Sequence, residues 1–143
     1  MSNTDTTTVQ PTRSNALTWI PRLVAAGLLA MTLPYKFAGA EETVRLFETL
    51  GAGDAGRIGT GVMEAIAVVL LLVPRTAALG GLLTVGLMSG AIFSHLTVLG
   101  IFWDGDASLF TFAVVAFLAG GLTAFSLRRT LPIVGARFQP AEV

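Results

Sequence analysis

This chain contains no cysteine, a single histidine and few charged residues. The missing cysteines exclude disulfides, thiol redox chemistry, zinc–thiolate centres and iron–sulfur ligation by the chain itself. With one histidine, a transition-metal site would need carboxylates for its other ligands, so no metal site is predicted. Charged residues make up 13% of the sequence, about half of what soluble domains carry. The net charge is zero, which argues against a nucleic-acid partner.

What the sequence does have is long apolar stretches. Hydrophobic residues occupy 53% of the 143 positions, and the mean hydropathy is +0.74. Four apolar spans lie at about 19–37, 58–73, 77–101 and 109–127. A helix of about 20 residues crosses a bilayer core, and the spans lack the period-two alternation of a membrane β-barrel. We therefore predict an all-α integral membrane four-helix bundle over residues 17–131, between a disordered N-terminal tail at 1–16 and a C-terminal tail at 132–143.

The connections between the spans differ in length. Residues 74–76 leave room only for a tight turn, so the second and third spans should form an antiparallel hairpin. In the long first connection, at 41–57, Val44, Phe47 and Leu50 recur every third residue with charged residues between them. This pattern predicts a short amphipathic helix that lies on the membrane surface or caps the bundle.

Counts of lysine and arginine set the expected orientation, because cytoplasmic loops carry more of both. With the N-terminus inside, the inner face holds Arg13, Arg22, Arg75, Arg128, Arg129 and Arg137, and the outer face holds Lys36, Arg45 and Arg57. We therefore predict that both termini are cytoplasmic, in a multi-pass protein of the bacterial cytoplasmic membrane. An alternative is a secretory signal peptide cleaved after the small residues Ala38-Gly39-Ala40. Cleavage there would remove the first span together with Lys36.

Three ionisable residues, Lys36, Glu64 and His95, lie inside or at the end of apolar spans. A charged side chain at the centre of a membrane helix costs about 2.5–3.5 kcal/mol on insertion scales. Glu64 and His95 each lie about 9 Å from the outer ends of their predicted spans at 1.5 Å per residue, and Lys36 closes the first span on that side. We predict that the three form one polar cluster, which is either a register-fixing salt bridge or a functional site.

Small side chains accompany this cluster on the second and third spans. Gly61 and Ala67 share a helical face with Glu64, and Met88 and Ala91 share one with His95. Membrane helices approach each other closely along such faces. The same residues could leave a cleft between the two spans beside the polar cluster.

Several short motifs resemble the DoxX family of small four-span membrane proteins. In chain order they are Tyr35-Lys36-Phe37-Ala38-Gly39, Glu42-Thr43-Val44 with Phe47 and Leu50-Gly51, Gly61-Val62-Met63-Glu64 leading into Leu70-Leu71-Leu72-Val73-Pro74-Arg75, and Gly90-Ala91 with His95-Leu96. The resemblance covers about residues 19–127. It implies a four-span bundle in which Lys36, Glu64 and His95 are the shared polar positions. The family takes its name from a subunit of a thiosulfate:quinone oxidoreductase, and some relatives are linked to redox complexes.

From these observations we expect an accessory subunit of a membrane redox or quinone-linked system, without a catalytic motif of its own. Glu64 and His95 would exchange protons with a quinone headgroup, and Lys36 would favour a developing quinone anion. No ligands for haem or flavin are recognisable, so electrons would come from a redox protein partner. Two alternatives stay open: a small transporter or proton-coupled carrier, and a structural membrane assembly protein without ligand. The sequence also leaves a homo-oligomer open.

Overall fold

The computed structural model describes residues 14–131, and within them it contains helices and turns but no strand. Its helices are α1 (Ser14–Ala38), α2 (Glu41–Thr49), α3 (Gly53–Leu72), α4 (Ala77–Ser94) and α5 (Ser108–Ser126). A π-helical turn, His95–Leu99, continues α4, and a 3₁₀ turn, Arg128–Thr130, follows α5. All but α2 belong to helical segments long and apolar enough to cross a membrane. The prediction of an all-α chain with four long apolar helices is confirmed.

Helix boundaries differ from the predicted spans mainly at the beginnings of α1 and α3. The last three residues of the predicted tail at 1–16 belong to α1, and the rest of that tail and the tail at 132–143 lie outside the described residues. Helix α3 begins at Gly53 rather than at residue 58. Its first turns are rich in glycine, so apolar periodicity does not mark them. Asp54 lies in the first turn, where a negative charge interacts favourably with the helix dipole.

The four long helices form a bundle in which neighbours are antiparallel. Helix α1 packs against α3 and α5, and α4 packs against the same two helices, so α1 and α4 occupy opposite corners. The core contains mostly alanine and leucine, including Ala25, Leu29, Ala67, Leu71 and Ala116. Large apolar side chains on the outer faces are exposed, as a lipid-facing surface requires.

Close backbone contact joins α4 to α5. A Cβ atom added to Gly81 would lie 2.6 Å from the carbonyl oxygen of Gly120, and one added to Gly120 would lie 2.9 Å from the Cβ of Thr84. The buried Thr84 hydroxyl donates to the carbonyl of Gly80 at 2.8 Å, so this side chain adds no unpaired polar group. Glycine is therefore required here because no larger residue leaves room for the neighbouring helix.

Two arginines hold α1 and α3 in register. Arg22 of α1 is buried and donates to the carbonyls of Leu71 at 2.8 Å and Leu72 at 3.2 Å, at the end of α3. Arg57 of α3 is buried and donates to the carbonyl of Lys36, in the last turn of α1. On either helix, about 21 Å separates the two contacts at 1.5 Å per residue. Each helix thus supplies a cation to the carbonyl-bearing, negative end of the other.

Helix α2 lies across the end of the bundle where α1 finishes and α3 starts, in the segment predicted to be a short amphipathic helix. Phe47 is buried, whereas Glu41, Glu42 and Glu48 are exposed. Arg45 forms an exposed ion pair with Asp104, in the loop between α4 and α5. This end of the molecule is called the α2 end below.

Candidate functional site

Lys36 and Glu64 form an ion pair between α1 and α3. Lys36 Nζ lies 2.9 Å from Glu64 Oε2, with 13% of the lysine side chain and 4% of the glutamate side chain exposed. Thr32 lies one turn before Lys36 on α1. Its hydroxyl accepts from Lys36 Nζ at 3.1 Å and lies 3.0 Å from Glu64 Oε2, to which it can donate. The one hydrogen of this hydroxyl can serve either Glu64 or the carbonyl of Leu29, which lies at 2.9 Å, so Lys36 is the charged partner that holds the carboxylate.

The local packing explains why the pair forms. An added Cβ on Gly61, one turn before Glu64, would lie 3.3 Å from the ring of Phe37 and 3.5 Å from the Cβ of Lys36. The missing side chain lets α1 approach α3 at this level. Helical side chains lean toward the N-terminus of their helix, so the stem of Lys36 runs from the last turn of α1 back toward Glu64. Arg57 fixes the Lys36 backbone at the same time.

The position of Glu64 along its helix differs from the sequence estimate. It lies about 16 Å from the start of α3 at 1.5 Å per residue, because α3 begins at Gly53. The sequence arithmetic gives about 9 Å from residue 58. Glu64 is also midway along α3 between Arg57 and Leu71, the two points where the arginines tie α1 to α3.

His95 occupies the first position of the π-helical turn that ends α4, and it is 4% exposed. Its Nδ1 lies 2.8 Å from the carbonyl oxygen of Gly100, and its ring packs edge-on against Phe110 at a centroid distance of 5.8 Å. Gly100 has a φ of 81°, which favours glycine and turns its carbonyl back toward the ring. The widened turn and the glycine together position the imidazole.

The bond to Gly100 assigns the two ring nitrogens of His95. A carbonyl oxygen only accepts, so Nδ1 must carry the hydrogen and donate it. In neutral imidazole, Nε2 is then an acceptor. No hydrogen bond to Nε2, or to Oε1 of Glu64, occurs within residues 14–131. Both atoms keep some accessible surface, because within residues 14–131 the one fully enclosed side-chain nitrogen or oxygen without a hydrogen-bond partner is Trp103 Nε1.

A cavity of about 770 Å³ contains all three predicted residues in its wall. Lys36 is on α1, Glu64 is on α3, and His95 is on the π-helical turn that follows α4. Below them the wall is mainly apolar and includes Leu28, Leu29, Leu87, Met88, Phe112 and Ala116. At the α2 end the wall is more polar, with Glu42, Thr43, Asp106 and Ser108 beside the apolar Leu46, Phe47 and Leu50. The structure thus places Lys36 and Glu64 in direct contact and His95 in the same cavity, without an ion pair to Glu64 within residues 14–131.

The cavity reaches the outer surface of the bundle. Met31 and Tyr35 of α1 belong to its wall and are 47% and 60% exposed, and Gly86 and Gly90 of α4 are also both lining and exposed. These residues lie within helices that can span a membrane. The wall of the cavity therefore includes exposed residues on the side of the bundle, in addition to the exposed Glu42 and Asp106 at the α2 end.

The cleft predicted between the second and third spans is found in part. Met88 and Ala91 belong to the cavity wall, together with Thr60 of α3. Gly61 and Ala67 do not, because Gly61 packs against α1 and Ala67 is in the core. The cavity instead extends across the bundle toward α1 and α5.

Asp106 lies at the polar end of the cavity, just before α5. Its Oδ1 accepts from the Ser108 hydroxyl at 2.8 Å and from the Ser108 backbone N–H at 2.9 Å. These bonds, that of the side chain first, lower the pKa of Asp106 below its ordinary value of 3.8. The carboxylate satisfies one free N–H at the start of the helix and stays ionised at neutral pH.

Sequence reasoning missed the role of Thr32. The signal was available, since Thr32 precedes Lys36 by four residues and so lies on the same face of α1. The contacts of Arg22 and Arg57 with distant carbonyls have no sequence signal, because backbone acceptors carry no residue identity. Within residues 14–131, no cluster of three or more histidine or acidic side chains could hold a metal ion.

Comparisons with family models, curated proteins and solved structures found no match to this chain. The class of protein follows from the molecule itself. Four helices with the length and composition of membrane spans make it a multi-pass membrane protein. Its distinguishing feature is a cavity, among these helices, that contains a buried ion pair and a buried histidine.

Proposed function

We propose that this protein is a DoxX-like accessory subunit of a membrane redox system and that it holds the headgroup of a lipid-soluble quinone in the cavity. The observation that carries the proposal is the composition of the cavity wall. Apolar side chains lead from exposed positions on α1 to Lys36, Glu64 and His95. The volume is in the range of small-molecule sites, about 300–1,000 Å³, and such sites combine apolar walls with a few polar groups.

The polar groups suit a headgroup that exchanges protons. A quinone gains protons on reduction and loses them on oxidation, and Glu64 and His95 are a carboxylate and an imidazole within one cavity. Lys36 Nζ stabilises negative charge on an oxygen bound beside it. In this proposal a redox protein partner supplies or removes the electrons.

A transporter is favoured less, because the cavity occupies one half of the bundle. In the other half α3, α4 and α5 pack closely: an added Cβ on Gly80 would lie 2.6 Å from the backbone nitrogen of Leu71. Gly81 makes a comparable contact with Gly120. This packing supports a site that is closed at one end rather than a path between two faces.

The proposal includes the placement in the membrane. Both termini lie in the cytoplasm of a bacterial cell, so the α2 end faces outward and α2 lies at that surface of the membrane. The excess of arginine on the opposite face supports this orientation.

Mass spectrometry of the protein extracted with its native lipids tests the proposal. A quinone should be enriched over its abundance in the total lipid extract and depleted in His95→Ala. Ser89→Ala is the matched control, because Ser89 is on the exposed face of α4 and hydrogen-bonds only its own helix. Recovery of ordinary phospholipids alone, in proportions equal to the extract, would contradict the quinone site.

A further inference from the structure

The hydrogen-bonding groups of the cavity have a bias that the proposed function does not require. Within residues 14–131, His95 Nε2 and Glu64 Oε1 belong to buried side chains that line the cavity, and neither atom has a hydrogen-bond partner. In the neutral imidazole Nε2 accepts, because Nδ1 donates to Gly100. Oε1 belongs to a carboxylate paired with Lys36, which accepts and cannot donate.

Within residues 14–131, Lys36 is the one lysine or arginine in the wall of the cavity. Lys36 Nζ has three hydrogens, and two are used by Glu64 Oε2 and Thr32 Oγ1. One remains for a ligand. The hydroxyls of Tyr35, Thr43 and Thr60 can act in either direction and do not discriminate, and that of Ser94 already donates to the carbonyl of Gly90 at 2.9 Å.

A ligand that has hydrogen-bond acceptors but no donor leaves Nε2 and Oε1 without a hydrogen bond. The oxidised quinone has two carbonyl oxygens and no donor, so it would pair with Lys36 and cover Nε2 and Oε1 without bonding them. Covering an unpaired polar atom costs free energy, because the atom loses its hydrogen bonds to water and gains none from the ligand. The reduced quinol has two O–H groups that can donate to Nε2 and Oε1, and its oxygen can still accept from Lys36.

We propose that the cavity selects the reduced, hydroxyl-bearing form of the quinone over the oxidised form. This inference rests on the proposed quinone site. It concerns binding alone, and the selective feature is the presence of two acceptors in the wall of one cavity, one on α3 and one on the π-helical turn after α4. The same groups would take any neutral, lipid-soluble phenol that fits the apolar wall.

Three probes with one ring and one short alkyl chain test the preference: a hydroquinone, its quinone and its dimethyl ether. The dimethyl ether keeps the ring and the alkyl chain of the hydroquinone but has neither of its two O–H donors. Each is measured by anaerobic equilibrium dialysis against the protein in lipid nanodiscs, with empty nanodiscs as the background. The hydroquinone should bind at least about tenfold more tightly than the other two, which corresponds to about 1.4 kcal/mol.

Two variants test which residues cause the preference for the hydroquinone. His95→Phe keeps a ring against Phe110 and removes the acceptor, and Glu64→Gln replaces one acceptor oxygen with a donor. Both should reduce the ratio of quinone to hydroquinone dissociation constants, and Ser89→Ala should leave it unchanged. If a variant does not fold, the three-probe comparison on the unchanged protein still decides.

The outcomes separate the two proposals. Equal or tighter binding of the quinone would overturn the preference and leave the quinone site standing. Binding of none of the probes above the empty-nanodisc background would overturn both. A preference that persists unchanged in His95→Phe and Glu64→Gln would show that these acceptors do not cause it, and would overturn the inference.

Discussion

Lys36 and Glu64 reach each other from antiparallel helices, with 2.9 Å between Nζ and Oε2. Glu64 lies midway along α3 between the two arginine contacts that tie α1 to α3, and the backbone of Lys36 takes part in one of them. The contacts that fix the register of α1 against α3 therefore help to hold the pair, in addition to the attraction between its two charges. His95 lies in the same cavity but is bonded to Gly100 on its own side of the bundle. The polar cluster consists of one ion pair and one separately held imidazole.

This arrangement predicts unequal couplings in double-mutant cycles. Lys36→Met and Glu64→Gln should each destabilise the protein, because each leaves a charge without its partner in a largely buried place. The double variant should lose less than the sum, with a coupling of about 0.5–3 kcal/mol. Unfolding in detergent measures all four proteins.

The cycle of Glu64→Gln with His95→Ala serves as the control. These residues share no hydrogen bond or ion pair within residues 14–131, so their losses should add to within about 0.5 kcal/mol. Additivity in the Lys36 cycle would show that the ion pair does not form in the membrane.

A second prediction concerns the packing of α4 against α5. Gly81→Ala should destabilise the bundle by about 1–3 kcal/mol, because the new methyl group would overlap the backbone of α5 and force the helices apart. Gly27→Ala is the control, since a Cβ there meets nothing within 4 Å. Equal melting temperatures for Gly81→Ala and the unchanged protein would refute the close contact.

A third prediction follows from the lowered pKa of Asp106. A carboxyl group that is more acidic in the folded state stabilises it above the unfolded-state pKa, and this contribution disappears as pH falls through the folded-state value. Asp106→Asn should therefore be less stable than the unchanged protein near neutral pH. The difference should be constant down to about pH 5 and shrink below about pH 4.

Chemical denaturation of both proteins across this pH range measures the difference. Ser108→Ala, which removes the side-chain donor, should show a smaller effect of the same sign. A difference that grows on acidification would contradict the assignment.

The proposed orientation predicts where reporters become active. A fusion after Arg75 should report the cytoplasm, and an insertion near Gly105 should report the external side. An insertion near Gly53 should agree with the one at Gly105, because both positions lie at the α2 end. A cytoplasmic signal at Gly53 would reverse the orientation.

The sequence predicted the four long helices because their apolar length is set by the bilayer and needs no tertiary information. It placed Lys36, Glu64 and His95 correctly on apolar helices, since a charge in such a segment is conspicuous. The start of α3 at Gly53 was missed because its first turns are held by contacts, such as that of Arg57 with α1, rather than by an apolar pattern.

The assignment of contacts within the site could not be predicted. Gly61 faces α1 rather than α4, and only the packing partner decides which small face meets which helix. The π-helical turn that directs His95 Nδ1 to Gly100 changes the helical phase, so periodicity counted through Ser94 does not give the direction of the ring.

The central claim is that the cavity beside Lys36, Glu64 and His95 binds a quinone-type ligand. Its most direct measurement is the melting temperature of the protein, Glu64→Gln and His95→Ala with a soluble short-chain quinone, in its oxidised and reduced forms. A ligand at a hundredfold excess over its Kd stabilises the folded state by about 2.7 kcal/mol. The unchanged protein should therefore melt at a higher temperature with at least one form, and the two variants should respond less. Equal shifts in all three proteins, or no shift in any, would contradict the claim.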